Sequence, residues 1–129
     1  MTSPAQDIRV LIDGDSSLGL VFGTDLFVGD MPESPDACVA LFDTGGSSPD
    51  PNKYFRADVQ VLVRGTVGSY SETYAVTETI LLLLHEYYGT PSGSTYYYSV
   101  VWASGVPFYI GVDESNRPLF SLNFRIQRR

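Results

Sequence analysis

Residues with the chemistry for catalysis or metal binding are few and scattered in this 129-residue chain. Asp13, Asp15 and Ser17 occupy positions one, three and five of a calcium-binding loop. The pattern then fails, because Leu18 stands where the loop needs glycine and Thr24 stands where it needs glutamate. We therefore interpret this stretch as the polar end of a helix.

The single cysteine and the single histidine, Cys38 and His85, are a candidate pair of nucleophile and general base. Cys38 begins an apolar run typical of a buried strand, where a thiol usually serves as an inert packing residue. His85 falls in the last turn of a predicted helix, where it can cap the helix or pack. One cysteine and one histidine are also too few ligands for a zinc site. The sequence thus predicts no enzyme activity, no metal and no cofactor, with a thiol hydrolase as the enzymatic alternative.

The net negative charge of the chain argues against a protein that binds nucleic acid tightly. Its 8 Lys and Arg residues face 15 Asp and Glu residues, which gives a net charge of −7. Affinity for the phosphate backbone comes from clustered cations. We therefore predict that DNA passes such a surface without sticking to it.

The expected compartment is cytoplasm-like. A lone cysteine cannot form an internal disulfide, and the first residues lack the basic start and apolar core of a signal peptide. The longest apolar run, 80–84, is far shorter than the roughly 20 residues of a membrane span. We therefore expect no association with a membrane.

The elements that would position a site are organised around two predicted strands, 38–42 and 57–64. The second strand alternates with period two, so its odd-numbered valines share one face. A Gly-Gly pair and two prolines lie between the strands and predict a loop, 43–55, rather than a continued strand. A long loop held between two core strands suggests an element that contacts a partner.

Two helices are predicted on either side of these strands. The first, 4–12, follows a serine N-cap and carries proline at its first position. The second, 70–87, starts with Ser69 and Glu72 at the spacing of a capping box and stops before a glycine and a proline. Its wide apolar band suits a helix that lies across a sheet.

The remaining elements are strands, so residues 1–129 are predicted to form one α+β domain. Its sheet is mostly antiparallel and is packed by one long central helix and a shorter N-terminal helix. The last two strands form a hairpin, in which Asn116 takes a left-handed turn. The further predicted strands are 25–28, 96–103, 108–112 and 119–126.

Two features indicate contact with other macromolecules. Tyrosines cluster at 87–88 and 96–98, and neighbours on a strand face opposite sides, so some of these rings must point out of the core. Half-exposed structural rings and a partner surface both agree with this pattern. Near the chain end, Arg125, Arg128 and Arg129 form either a solvated tail or a basic patch that pairs with acids of an identical neighbour in a ring.

The chain contains, in order, the stretches DLFVGDMPESPD, VALFDTGGSSPDP, DVQVLVRG, LLHEYYG and PFYIGVDESNRPLFSLNFRI. As a linked set they resemble the tail-terminator proteins of long-tailed bacteriophages, which are also described as minor capsid or tail-completion proteins. The resemblance spans about residues 18–126 and is carried by the set rather than by any one stretch.

This resemblance implies a subunit that assembles as a homohexameric ring at the head–tail junction of the virion, after synthesis in the host cytoplasm. The ring would cap the tail tube, stop its polymerisation and contact the head-side stopper or connector protein, with DNA passing through its hole. The family has no catalytic residues to carry over. Six copies of a −7 subunit would give an acidic channel wall that repels phosphate.

We predict that the loop between the two central strands and the terminal arginines contact neighbouring subunits or the tail-tube protein. Both segments combine exposure-prone residue types with a place at the end of a predicted core strand. The predicted interface residues are Asp43, Thr44, Gly45, Gly46, Ser47, Asp50, Lys53, Tyr54, Arg125, Arg128 and Arg129.

Two alternatives stay open at this point. The first is another head–tail neck protein, a stopper or head-completion ring, which would bind the portal side instead of the tail tube. The second is a cytoplasmic domain that binds a small ligand in a tyrosine-lined pocket. That domain would be a monomer or dimer with a deep cavity and no affinity for tubes.

Overall fold

The structure is a computed structural model that describes residues 2–47, 55–91, 93, 95–103 and 107–128. These residues form two helices and seven strands, and the predicted α+β class is confirmed. In chain order the elements are α1 (Pro4–Asp13), β1 (Leu26–Val28), β2 (Cys38–Ser47), β3 (Phe55–Arg64), α2 (Tyr70–Leu84), β4 (Tyr87–Gly89), β5 (Tyr97–Trp102), β6 (Phe108–Val112) and β7 (Pro118–Arg128).

The seven strands form one sheet in the order β1-β2-β3-β7-β5-β4, and β6 also pairs with β7. The β1–β2 pair is parallel and the other described pairs are antiparallel, which confirms a mostly antiparallel sheet. β7 borders β3 on one side, and on the other side it pairs with β6 near its start and with β5 near its end. β7 is therefore the strand from which the sheet divides.

The core lies on one face of the sheet, between the central strands and the helices. The odd-numbered valines of β3 are buried there, as the period-two pattern predicts. Each large apolar side chain that is fully buried contributes about 1.5–3 kcal/mol relative to an exposed one. Both helices pack on this face, since they contact each other as well as β3. β7 contributes Phe120, Leu122, Phe124 and Ile126 to this core.

The prediction that glycines end β2 is wrong. The strand runs to Ser47, with a bulge between Asp43 and Gly45 and with Gly46 paired to Ala57. Gly46 has a φ of 138°, and a Cβ there would lie 2.2 Å from the carbonyl oxygen of Arg56. Only glycine allows β3 to approach this closely, so the glycines continue the strand instead of breaking it. The rest of the predicted loop, including both prolines, lies in 48–54, outside the described residues.

The predicted capping box at Ser69 is also wrong, because the Ser69 hydroxyl donates to the carbonyl of Thr66 at 2.6 Å and leaves the N-terminus of α2 without a side-chain cap. A capping box does form at the start of α1, where Ser3 was predicted as N-cap. The Ser3 hydroxyl accepts the N–H of Gln6 at 3.2 Å, and the Gln6 side chain accepts the N–H of Ser3 at 2.7 Å.

α2 ends at Leu84, three residues before the predicted end. His85 is already extended and Glu86 has a φ of 65°, which turns the chain into β4. The N–H of Glu86 then donates to the carbonyl of Val100 at 2.7 Å. Pairing with β5 therefore ends the helix before the glycine and proline do. Among the described residues, neither helix is long and apolar enough to cross a membrane.

Candidate interaction surfaces

Cys38 and His85 do not form a catalytic pair. Cys38 lies on the other side of β3 from Leu119, which is at the start of β7. The Nδ1 atom of His85 accepts a hydrogen bond from the backbone N–H of Trp102, at 3.2 Å. Trp102 pairs with Phe124. Five residues of β7 separate Leu119 from Phe124, roughly 16 Å at about 3.3 Å per residue. The thiol and the imidazole therefore lie at different ends of the sheet.

A cleft of about 500 Å³ opens beside Cys38, between the start of β2 and the N-terminal end of α2. Cys38 is buried in its wall, and this burial raises the pKa of the thiol above 9.0, although Arg64 opposes the shift. The thiol is therefore protonated at neutral pH and a poor nucleophile. Among the described residues that line this cleft there is no tyrosine, unlike the pocket of the ligand-binding alternative.

The acidic stretch after α1 is a helix end, as predicted. Asp15 accepts hydrogen bonds from the backbone and the hydroxyl of Ser17 at 2.9 and 2.6 Å, and these bonds lower the pKa of Asp15 below 3.8. Asp13 pairs with Arg9 at 3.6 Å. Within the described part of the chain, no group of three or more metal-ligating side chains is arranged to hold a metal ion.

Two of the predicted interface residues lie together on the outer face of the sheet, opposite the helices. Gly45 pairs with Asp58, and Asp58 pairs with Arg125, so Gly45 and Arg125 are two strand spacings apart, roughly 9–10 Å. Arg125 is exposed. This surface, which we call the outer groove, encloses about 610 Å³ and is also lined by Val101 of β5 and Gln127 of β7.

The other predicted interface residues differ in where the structure places them. Asp43 accepts the N–H of Ala5 at 2.9 Å and so ties β2 to the start of α1. Thr44 and Gly46 are exposed at the end of β2, where the backbone of Ser47 also lies. Asp50, Lys53, Tyr54 and Arg129 lie outside the described residues.

Arg128 is not part of a solvated tail. It is 8% exposed, and its Nη1 lies 3.3 Å from Asp7 Oδ2, 3.3 Å from the Tyr97 hydroxyl and 2.9 Å from the carbonyl of Thr2. Its charge is therefore used inside its own subunit. The prediction that Arg128 pairs with a neighbour conflicts with this burial, and we withdraw Arg128 from the proposed interface.

Asp7, Tyr97 and Arg128 form a buried group that we call the chain-end cluster. The Tyr97 hydroxyl donates to Asp7 Oδ2 at 2.5 Å, and the Thr2 hydroxyl donates to Asp7 Oδ1. Burial first, and then the hydrogen bond to Asp7, raise the pKa of Tyr97 far above 10.0. No sequence pattern predicts this cluster, because Asp7 is 90 residues from Tyr97 and 121 residues from Arg128 along the chain.

A second buried arginine, Arg117, organises the turn between β6 and β7. It donates to Asp113 at 2.8 Å and to Glu33 at 3.0 Å, and it lies 3.2 Å from Asp36. The hydrogen bond from Arg117 holds the pKa of Asp113 below 3.8. We call these four residues the hairpin cluster. Asn116 closes the same turn with a φ of 61°, as predicted.

Three groups of exposed apolar side chains lie on the described surface, apart from single exposed residues such as Leu82. The tyrosine patch consists of Tyr88, Tyr96 and Tyr98, and the last two rings pack edge to face with centroids 5.0 Å apart. Tyr97 between them is buried, so the prediction that this run faces both sides is confirmed. The second and third groups lie at the two outermost parts of the sheet: Val21 and Phe22 beside β1, and Phe108, Tyr109, Ile110 and Val112 on β6.

Comparison with known proteins connects this surface-dominated architecture to a family. A sequence profile described as bacteriophage tail terminator protein matches residues 15–129. The chain belongs to this family. Its membership confirms the resemblance seen in the sequence and makes the chain a structural protein of the virion.

The fold of this tail-terminator family member is also seen in a solved structure. A chain in the structure described as the virion of a native gene transfer agent particle matches with a TM-score of 0.77. The match covers 98% of this chain and 94% of that one, at 12% sequence identity, and so it concerns the fold. No sequence among the curated proteins matches the chain.

Proposed function

We propose that this chain is the subunit of a hexameric ring that caps the tail tube, stops its polymerisation and joins it to the head-side connector. The family match over residues 15–129 carries this proposal. Two features of the described residues support it. Apolar patches are exposed at the edges of the sheet, and Cys38 and His85 lie far apart.

The net charge of the subunit supports a ring that DNA traverses without binding. At −7 per subunit, six copies would repel the phosphate backbone if their acids line the hole, and DNA would slide through without the cation contacts that cause sticking. The ring would reside at the head–tail junction and be assembled in the host cytoplasm.

We assign one face of this ring to the outer groove. Its lining includes the strand backbone at Gly46, the side chain of Asp58 and the exposed cation Arg125. A groove with an exposed cation suits an acidic partner surface, on a neighbouring subunit or on the tail tube. Replacing Arg125 by Glu should weaken capping, whereas the charge reversal Glu78→Arg on the exposed side of α2 should leave it unchanged.

The decisive experiment polymerises the tail-tube protein with and without this chain and measures tube lengths by electron microscopy. A terminator stops elongation, so lengths should stay constant after its addition, and the added density should sit at one end of each tube. Tubes that lengthen normally with the chain present would reject the proposal. Binding to the portal-side connector without binding to tube ends would instead indicate a stopper or head-completion ring.

A further inference from the structure

We propose that neighbouring copies of this chain dock head to tail through two different apolar surfaces at opposite edges of the sheet. The first is the β6 patch, formed by Phe108, Ile110 and Val112. The second is the β1 groove, whose apolar side is formed by Val10, Phe22 and Val28, with exposed Val21 next to it. The inference rests on the ring assembly proposed above and specifies the surfaces that make it.

The β6 patch is an apolar strand at an edge of the sheet. β6 reads FYIGV, without a charged residue or proline, and its described pairing is with β7 alone. Tyr109 turns inward, with its ring 5.0 Å from that of Tyr70 and 5.1 Å from that of Phe120. The other three apolar side chains stay half or more exposed. Edge strands normally carry charges or proline, and β6 instead exposes three apolar side chains, which indicates a surface that a partner covers.

The contact at β6 is made by side chains rather than by a regular added strand. The register of β6 against β7 shifts between Tyr109 and Gly111, and Gly111 has a φ of 120°. Such a bulge disrupts the ladder and twists the strand, which disfavours regular pairing along the free edge. The side chains of Phe108 and Ile110 therefore project from the strand, and a partner would bury them in an apolar groove.

The β1 groove supplies such a surface at the other edge. It encloses about 320 Å³ between α1 and β1. Val10, Phe22 and Val28 form its apolar side, and Thr2, Gln6, Asp7 and Arg9 line the rest. The guanidinium of Arg9 lies 4.2 Å from the centre of the Phe22 ring. The Nε of Arg9 is buried and has no hydrogen-bond partner among the described residues. The groove therefore offers an apolar side to a partner, next to a polar side that includes the Arg9 guanidinium.

Topology and charge make a second copy of this chain the occupant. β1 and β6 lie on opposite sides of the β2-β3-β7 strands, so docking one against the other is a heterologous contact, the kind that closes into a ring. A specific interface buries about 800 Å² per partner, more than one short strand offers. The contact therefore extends to the turn after β6, where exposed Glu114 would approach Arg9 of the neighbour. The only ion pair of Arg9 among the described residues is a long one, at 3.6 Å with its own Asp13, so a second carboxylate would complement its charge.

The test uses two lysine variants, Ile110→Lys in the β6 patch and Val21→Lys beside the β1 groove, and one control. The control, Leu82→Lys, places the same charge on a 72% exposed side chain of α2. Native mass spectrometry is run on the chain alone and on the chain added to tubes of its tail-tube protein. Wild type and Leu82→Lys should give hexamers, whereas each edge variant alone should stay monomeric.

Mixing the two edge variants gives the specific prediction. Each retains one intact surface, so an equimolar mixture should form a dimer with one copy of each variant and nothing larger. Formation of this dimer also proves that both variants are folded. A mixture that stays monomeric, or hexamers that survive both edge lysines, would overturn the docking.

The failure of this inference is distinguishable from failure of the proposed ring. If the wild type forms hexamers and all three lysine variants do so too, the ring stands and the edge docking is wrong. If the wild type forms no ring, alone or on tubes, both are wrong. A ring that Leu82→Lys also breaks would show that any added charge disrupts it, and would reject the assignment to the two edges.

Discussion

The chain-end cluster and the hairpin cluster each bury an arginine, but they differ in what surrounds the partners. Asp7, the carboxylate next to Arg128, is fully buried. Arg117 is equally buried, yet its partners Glu33 and Asp36 are 85% and 57% exposed. Water can replace a lost partner at the surface but not in the interior, so a single substitution should have very different effects in the two clusters.

The largest effect is expected for Asp7→Ala. It leaves the Arg128 guanidinium and the Tyr97 hydroxyl buried without their shared acceptor, which should lower the free energy of unfolding by about 3–5 kcal/mol. Urea unfolding measures this loss. The control Asp30→Ala removes an exposed aspartate and should unfold close to the wild-type urea concentration. Equal midpoints for the two variants would contradict the contrast between the clusters.

Tyr97→Phe should have the next largest effect and a distinct pH dependence. Losing a hydrogen bond to a carboxylate costs about 1.5–3 kcal/mol at neutral pH. The folded state raises the pKa of Tyr97, so its contribution is complete below pH 10.0 and is lost as the pH rises through the folded pKa. Wild-type stability should therefore fall in strong alkali, and the phenylalanine variant should show a flatter alkaline limb. Parallel limbs would mean that Tyr97 does not titrate with unfolding.

The hairpin cluster should determine how the stability of the protein changes at acidic pH. Arg117 lowers the pKa of Asp113 below 3.8, so the contribution of Asp113 is complete above that pH and is lost as the pH falls through the folded pKa. Asp113→Asn should lower stability at neutral pH and flatten the acid limb below about pH 4. Glu78→Gln on the exposed side of α2 is the control and should leave the shape of the curve unchanged.

The smallest effect is expected for Glu33→Ala. Although Glu33 accepts from Arg117 at 3.0 Å, its exposure reduces the value of the pair to about 0.5 kcal/mol or less. The measurement is the urea midpoint at low and high salt, which should differ little from the wild type. A loss comparable to that of Asp7→Ala would show that exposure does not separate the two clusters.

Local patterns in the sequence predicted the central strands well and the ends of elements poorly. The alternation in β3 and β7 specifies which face is buried whatever surrounds it, and those faces are buried. Ser69 has the spacing of a capping box, but its hydroxyl bonds to Thr66 instead. Gly45 and Gly46 suggested a strand end, yet the strand continues through both, and Gly46 permits the close approach of β3. A local pattern shows which conformations and hydrogen bonds a residue can adopt. The residues that lie next to it in the folded structure determine which of these forms.

The β6 patch shows the same limit for surfaces. The sequence FYIGV is apolar throughout and is typical of a buried strand. Only its position, paired on one side to β7, leaves Phe108, Ile110 and Val112 exposed. The predicted interface was instead placed in the loop after β2 and at the chain end, where glycine and charge suggest exposure. Of those residues, Arg125 is exposed on the outer groove and Arg128 is buried.

The sequence by itself determined the α+β class, the buried faces of the central strands, the left-handed turn at Asn116 and membership of the tail-terminator family. The first three depend on local periodicity and on conformational preferences that act over a few residues, whereas the family was recognised by the resemblance of a set of stretches in order. Tertiary structure alone decided that Arg128 is paired with Asp7 and that β6 forms an exposed edge. Both result from contacts between segments far apart in the chain. The residue types that surround each segment in the sequence do not indicate which distant segment it contacts.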